Sequence, residues 1–346
     1  MNDIRWESTD FRGALGAWFV RHGRVLPWRL TSDPYCILVS ELMLQQTQVV
    51  TVLPYYERWM NRFPTLVSLA EADESEVLRE WQGLGYYNRA RNLHQCAKRL
   101  VADFNGEFPT DLAVLEQLPG LGRYTAGAIA TFAFNLPAPI VDANIARVLA
   151  RITDLQLPID SANGKAAIWD AAARIAQCSE PRRVNSALME LGALICLPRK
   201  PTCLLCPVQS FCRATDPEAL PRKRPRPLRE SRSENYHFLR RKERVFLTLS
   251  EGPRWRGLWT LPPVSGTPPT TEPALELTHG ITRFLITIRV FQADVSVASH
   301  PNGRWHPEDE VAQLPMPTPH RRALERLLRT RSEERESETV SRVTER

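Results

Sequence analysis

The amino-acid sequence predicts a multi-domain chain: an all-α N-terminal domain followed by a smaller α+β domain. Three observations lead there. Apolar residues recur at helical spacing through about the first 200 positions. The stretch 221–232, PRKRPRPLRESR, then holds six basic residues and three prolines, too polar and too broken to build a core. From about residue 236 the apolar runs become β-branched and alternate in places. A chain of 346 residues, 43% hydrophobic, has material for two cores.

Taken in order, Phe11, Leu15, Trp18 and Phe19 mark a first helix, which Leu26-Pro27-Trp28-Arg29 interrupts. Asp33-Pro34 opens a second, with proline early, carrying Ile37, Leu38, Glu41, Leu42, Leu44 and Gln45. Glu41 and Gln45 stand four apart, on one face beside large aliphatics. A carboxylate there is either a solvated edge residue or, if buried, an acid of raised pKa suited to proton donation. The sequence leaves both open. Further helices are predicted at about 73–82, 88–103, 111–118, 123–133, 142–153, 163–178 and 184–196. Between the first two lies Gly83-Leu84-Gly85-Tyr86-Tyr87-Asn88-Arg89-Ala90-Arg91. Its tyrosines and alternating arginines suit base stacking with phosphate contact, and equally a helix start with solvated arginines.

The stretch Leu118 to Val148 opens on Leu118-Pro119-Gly120-Leu121-Gly122. Gly120 and Gly122 can take positive φ or admit another backbone. The following helix carries Tyr124, Ala128 and Phe132, and its bare first N–H groups can hold one phosphate or serve a purely packed turn. Asp142 then follows Ala138-Pro139-Ile140-Val141 and precedes a helical pattern. It reads as an N-cap, or as an acid beside a groove for nucleic-acid backbone.

A net charge of +6, carried mostly by arginine, favours an acidic partner. The N-terminus lacks a basic-then-apolar leader, and no apolar run nears the roughly 18 residues of a membrane span. The expectation is a soluble, cytoplasmic monomer with no membrane partner. Cys196, Cys203, Cys206 and Cys212 give C-x6-C-x2-C-x5-C. Four thiols so close in an intracellular chain call for a metal, either zinc or a 4Fe–4S cluster. Zinc sites usually pair two C-x2-C knuckles, so the spacing favours the cluster. Cys36, Cys96 and Cys178 lie in helical patterns and read as core.

The glycine turn, an aspartate 22 residues after Gly120 and the cysteine loop together resemble the endonuclease III superfamily of helix-hairpin-helix DNA glycosylases. Within it, Leu26-Pro27-Trp28-Arg29, Ser40-Glu41-Leu42-Met43-Leu44-Gln45-Gln46-Thr47 and Gly83-Leu84-Gly85-Tyr86-Tyr87 resemble the adenine DNA glycosylases. The resemblance covers about residues 10 to 215. It implies excision of adenine mispaired with oxidised guanine (oxoguanine) or guanine in double-stranded DNA. Tyr124 stands where the bifunctional glycosylase/lyases carry a lysine nucleophile, so a Schiff base is not expected.

By position the resemblance implies that Glu41 protonates the departing adenine and Asp142 stabilises the cationic sugar, with Tyr124 and Asn144 supporting them. Arg24, Trp28, Arg29, Leu44 and Glu190 would line the adenine pocket. Gln46 and Tyr86 would wedge into the stack that the base leaves. The family's Asp-Gly-Asn is here Asp142-Ala143-Asn144, a methyl tolerated unless the position needs positive φ.

The implied organisation is a helical glycosylase domain over 1–215 with the 4Fe–4S loop at 196–212, a basic linker over 216–235 that either touches DNA backbone or is plainly solvated, and a Nudix-like lesion-recognition domain over 236–330. A charged disordered tail is expected over 331–346. In the C-terminal part Val245–Leu249 and Phe284–Val297 read as strands and Pro319–Arg329 as a helix. Trp255-Arg256-Gly257-Leu258-Trp259-Thr260-Leu261-Pro262 resembles the Nudix-like domain, without a pyrophosphatase box. Where the family carries Phe-Ser-His to read oxoguanine, this chain has Ile281-Thr282-Arg283, with Arg283 free to take a phosphate. Two other classes stay open: a non-catalytic binder of lesions or junctions, and a glycosylase/lyase.

Overall fold

A computed structural model describes residues 5–225, 228–281, 283–295, 298 and 300–329. The chain forms two compact units, one of Met1–Glu71 with Asn92–Pro225 and the other of Ala72–Arg91 with Arg226–Arg346. The first is helical: α1 (Thr9–His22), α2 (Pro34–Leu44), α3 (Val49–Arg62) and α4 (Leu66–Glu71). After α5 (Glu74–Glu80), which lies in the second unit, come α6 (Asn88–Phe104), α7 (Leu112–Leu115) and α8 (Arg123–Phe134). Then follow α9 (Ala143–Ile152), α10 (Ala162–Ala176) and α11 (Pro181–Leu194).

Polar caps start these helices where the sequence places them. Ser8 Oγ accepts the Phe11 N–H at 3.1 Å, Asp33 the Tyr35 N–H at 2.8 Å and Ser161 the Gly164 N–H at 3.0 Å, each satisfying an orphan donor. Trp6, Phe11, Leu15, Ile145, Leu149, Leu188 and Leu191 are among the buried core that ties α1, α9, α10 and α11 together. Three boundaries differ from the periodicity. α2 stops at Leu44, so Gln45 is its C-cap rather than a companion of Glu41 on one face. α7 is a single turn. α11 starts at Pro181, whose fixed φ suits the first helical position, three residues before the apolar pattern becomes visible. α3 and α4 were not anticipated, although Val52, Tyr56 and Trp59 recur at helical spacing and are buried.

The second unit builds two sheets from β1 (Glu230–Phe238), β2 (Arg240–Arg241), β3 (Arg244–Leu249), β4 (Trp259–Thr260), β5 (Leu275–Ile281), β6 (Phe284–Gln292) and β7 (Gly303–Pro307). One sheet has the order β1-β6-β5, with β1 parallel and β5 antiparallel to β6. In the other, β2, β4 and β7 all pair with β3, antiparallel. A helix, α12 (318–329), packs Ala323, Leu324 and Leu327 into the core with Phe238, Val245, Leu247 and Ile288. β1 begins inside the stretch read as linker. Its first four residues are exposed and polar, so they carry no apolar signal, and pairing with β6 alone makes them a strand. β6 ends at Gln292, five residues short of the sequence reading. The tail 331–346 and Thr282 lie outside the described residues. Among the described residues no helix is long and apolar enough to cross a membrane.

Candidate active site

A cleft of about 1380 Å³ opens in the helical unit between the turn after α1, the end of α2, the start of α8, the segment before α9, and α11. Glu41 sits in its wall on the last turn of α2 and is only 4% exposed, which decides between the two readings of that carboxylate. The Tyr124 hydroxyl donates to Glu41 Oε2 at 2.7 Å. Burial pushes the Glu41 carboxyl up to about 7; the Tyr124 hydrogen bond opposes this and the negative charge of Asp142 adds to it. Burial also drives the Tyr124 phenol well above its ordinary value, so it stays a donor.

Asp142 caps α9 and lines the same cleft, so its two readings are one arrangement. Its Oδ1 accepts the Ile145 N–H at 2.7 Å. Burial raises its pKa, while that N–H and the charge of Arg147 work against the rise. The carboxylate faces the cleft from a helix start, where the dipole favours negative charge. Ala143 does not take positive φ, so the methyl that replaces the family's glycine is accommodated. Asn144 Oδ1 accepts from Arg147 Nη2 at 2.8 Å, and its Cβ lies so close to Gly192 that a Cβ added there would come within 2.6 Å.

Across the cleft Glu190 is wholly buried. Its carboxylate accepts from the Arg24 backbone N–H (2.9 Å), Arg24 Nε (2.7 Å), Arg24 Nη2 (2.9 Å) and Arg29 Nη2 (2.8 Å). Although burial pushes the other way, these bonds hold the carboxyl down at about 2. Trp28, packed edge-on against Tyr56 at 5.2 Å, and Leu44 supply the apolar wall.

Gly120, Gly122 and Gln46 also line this cleft. Gly120 has φ +79°, and a Cβ on it would meet Asn92 Cβ at 2.6 Å, so glycine is required twice over. Gly122 has ordinary φ, and a Cβ there would meet nothing of the protein. Its bareness therefore serves something outside the chain or nothing. Gln46 takes φ +57°, an unusual conformation for a non-glycine residue at a cleft edge.

Tyr86 is not part of this cleft. It belongs to the second unit, where it is 48% exposed at φ +46°. Both readings of that loop's arginines, phosphate contacts or solvated charges, give way to partners within the protein. Arg89 is buried and donates to the carbonyls of Leu84 (2.9 Å) and Gly85 (3.0 Å); Arg91 pairs with Glu74 and also reaches the Arg256 carbonyl. Tyr87 is buried with its hydroxyl on Met316 O. Arg283, expected free for a phosphate, pairs with Glu230 at 3.2 Å.

The four loop cysteines, all free thiols, ring a second cavity of about 230 Å³ with Val148, Ile195 and Val208. Among the described residues no three His, Cys, Asp or Glu are grouped to hold a single metal ion.

A family model, described as the HhH-GPD superfamily of base excision DNA repair proteins, matches residues 39–158. A solved thermostable thymine-DNA glycosylase is 30% identical with a TM-score of 0.55, aligned over 60% of this chain and 96% of that one. The chain belongs to the HhH-GPD superfamily. A trapped endonuclease III–DNA covalent intermediate, 23% identical with TM-score 0.51 over 62% of this chain and 97% of that one, shares the fold. Among curated relatives, the adenine DNA glycosylase of Homo sapiens is 44% identical over 60% of this chain and 40% of its own length. That of Mycobacterium tuberculosis is 42% identical over 56% of this chain and 64% of its own length. The chain thus spans about half the length of the curated relatives it matches.

In this HhH-GPD chain the sequence reading passed over Arg147 and Arg151. Arg147 joins Asn144 to Cys196 O (2.7 Å) and Gly192 O (2.6 Å). Arg151, buried, donates to Cys196 Sγ at 3.2 Å. Two arginines four apart on the buried side of α9, Arg147 and Arg151, were the available signal. Asn185 was missed too; it holds Ala138 O at 3.0 Å and so the approach to Asp142.

Proposed function

We propose that this chain is a monofunctional adenine DNA glycosylase acting on duplex DNA with adenine opposite oxoguanine or guanine. The observation that carries the proposal is the pairing, in one cleft, of a buried, protonatable Glu41 with a helix-capping Asp142. An adenine swung out of the duplex enters between Trp28 and Leu44. Glu41 donates a proton to the leaving base, and the Tyr124 hydroxyl keeps that carboxyl oriented. As the glycosidic bond breaks, positive charge grows on the sugar and Asp142 stabilises it. Glu190, with Arg24 and Arg29, forms a charged wall whose remaining N–H groups meet the base edge. Asn144, oriented by Arg147, positions the water that completes hydrolysis. Gln46 and Tyr86, each held at positive φ at an exposed edge, are the candidates to fill the vacated stack.

Among the described residues no lysine lines the cleft, and Tyr124 is engaged with Glu41, which favours hydrolysis over Schiff-base chemistry. A pure binding protein has no use for a carboxyl kept protonatable by burial. Cys196, Cys203, Cys206 and Cys212 would hold a 4Fe–4S cluster. Four thiols lining one cavity, with a spacing that lacks the paired C-x2-C knuckles of a zinc site, suit a polynuclear group. The cluster would fasten the loop and supply no step of the excision. We read the C-terminal unit as the Nudix-like lesion reader, with a preference for oxoguanine over guanine weaker than the family's, because Ile281 and the Glu230-paired Arg283 flank Thr282.

Single-turnover assays on duplexes with adenine opposite oxoguanine, guanine, cytosine or thymine test this. Free adenine released from the first two, with strand cleavage only after added base, is the expected result; no release from any duplex overturns it. Anaerobically purified protein is expected to be brown with four irons, and stoichiometric zinc instead would remove the cluster.

A further inference from the structure

The tetrapeptide Leu-Pro-Arg-Lys occurs twice, at 197–200 and 220–223, and the fold brings both copies to one guanidinium. Arg151, 1% exposed, donates from Nη1 to Leu197 O (2.7 Å), from Nη2 to Pro198 O (3.3 Å) and from Nε to Leu220 O (3.1 Å). The carbonyls of the two segments therefore converge on a single buried cation. The side chains that follow, Arg199 and Lys200 in one copy and Arg222 and Lys223 in the other, are exposed and make no ion pair or hydrogen bond among the described residues.

The second copy is fastened as well. Ile159 N–H donates to Arg222 O at 2.9 Å, and Arg224 N–H donates to both Asp160 oxygens at 3.0 and 3.2 Å. Of the nearby acids, Asp160 accepts the Arg224 N–H and Asp216 the N–H groups of Glu218 and Ala219, while the Glu218 side chain is exposed. A basic segment in a free linker would lose conformational entropy on binding an anion. This one is already ordered, by Pro221 and by hydrogen bonds with the Ile159 N–H and the side chains of Asp160 and Arg151.

We propose that Arg222 and Lys223, held in place through Arg151, Ile159 and Asp160, bind phosphates of the backbone of duplex DNA at a site separate from the base-excision cleft. The identity of the polyanion rests on the reading of the chain as a DNA glycosylase. The sequence leaves residues 222–224 either as a solvated linker or as one that touches DNA backbone; what the fold adds is their fastening to the helical unit.

The test is fluorescence-anisotropy binding of full-length protein to a labelled duplex, with and without a mispaired adenine, across a salt series. Losing two phosphate contacts in Arg222→Ala/Lys223→Ala is expected to make the slope of log K against log salt shallower by about 1.8. Between 50 and 200 mM salt the variant then loses about tenfold less affinity than wild type. Its single-turnover excision rate at saturating protein stays unchanged. Arg222→Lys/Lys223→Arg keeps the wild-type slope, as does Arg241→Ala/Lys242→Ala, which removes the same charge from the exposed end of β2 and the turn after it. An unchanged slope in Arg222→Ala/Lys223→Ala beside normal excision overturns this proposal alone, as does an equal drop in the Arg241/Lys242 variant. A shallower slope in a protein that excises adenine from no duplex upholds the phosphate site and refutes the glycosylase reading instead.

Discussion

Glu41 and Glu190 line one cleft, are both buried, and end in opposite states. Burial acts upward on both carboxyls. Glu41 has a phenol as its hydrogen-bonding partner and a carboxylate for a neighbour, so its carboxyl rises to about 7. Glu190 receives N–H groups from two arginines and is held at about 2. Desolvation is common to the two; the presence of cations decides. One side of the cleft therefore keeps a proton available near neutrality, while the other keeps a fixed anion that organises two guanidiniums.

The largest expected effect tests the proton-bearing side. Asp142→Asn will lower single-turnover excision by about 10³-fold or more while duplex binding stays within a few-fold, since its charge matters as the sugar becomes cationic. It also removes a like charge beside Glu41, so the pH at which Glu41 titrates will move down. Turnover near wild type would assign the stabilisation of the sugar to another group. Next, Glu41→Gln will cost about 10²–10⁴ in excision rate. The wild-type rate will fall as pH rises through about 7, because the protonated acid is the working form. The same fall surviving in Glu41→Gln would show that a different group titrates.

Stability distinguishes the two glutamates by sign. Glu190→Gln leaves two guanidiniums without their buried partner and is expected to cost about 2–4 kcal/mol in urea unfolding at pH 7. With a folded pKa below the ordinary 4.5, the stabilisation from Glu190 is present above that value and lost as pH falls towards 2. The deficit will therefore shrink in acid. For Glu41 the folded pKa lies above the ordinary value, so stability is complete below about 4.5 and is lost as pH rises through 7. Glu41→Gln will thus unfold at higher urea than wild type at pH 8, by on the order of 1–3 kcal/mol, with no gain at pH 4. Equal shifts at both pH values would mean the burial cost is not electrostatic. The smallest effect concerns the departure from Asp-Gly-Asn. Ala143→Gly, at the first turn of α9, will destabilise by less than about 1 kcal/mol and leave excision unchanged. A marked gain in rate would show that the glycine has a role at that position.

Much of the helical unit was legible because its signals are local. Ser8, Asp33 and Asp142 cap helices within three residues of themselves, and the cysteine spacing lies in one loop. The resemblance added chemistry to positions that periodicity alone left ambiguous, Glu41 above all. The second unit was less legible. β5 alternates, but His279 interrupts the apolar series of its inner face, and the exposed half of β1 is a strand only by its pairing with β6.

The sequence by itself determined the residue types that do chemistry here and their order: two carboxylates, a tyrosine in place of a lysine, four cysteines, two glycines in a turn. Those identities are covalent. The tertiary structure alone decided what state each would be in. Whether a carboxyl keeps its proton, whether an arginine faces solvent or, like Arg89, is consumed inside, and whether the two Leu-Pro-Arg-Lys copies meet are consequences of burial and of partners far away in the chain. Desolvation and charge pairing act through space, and the spacing of residues along a chain does not encode those distances.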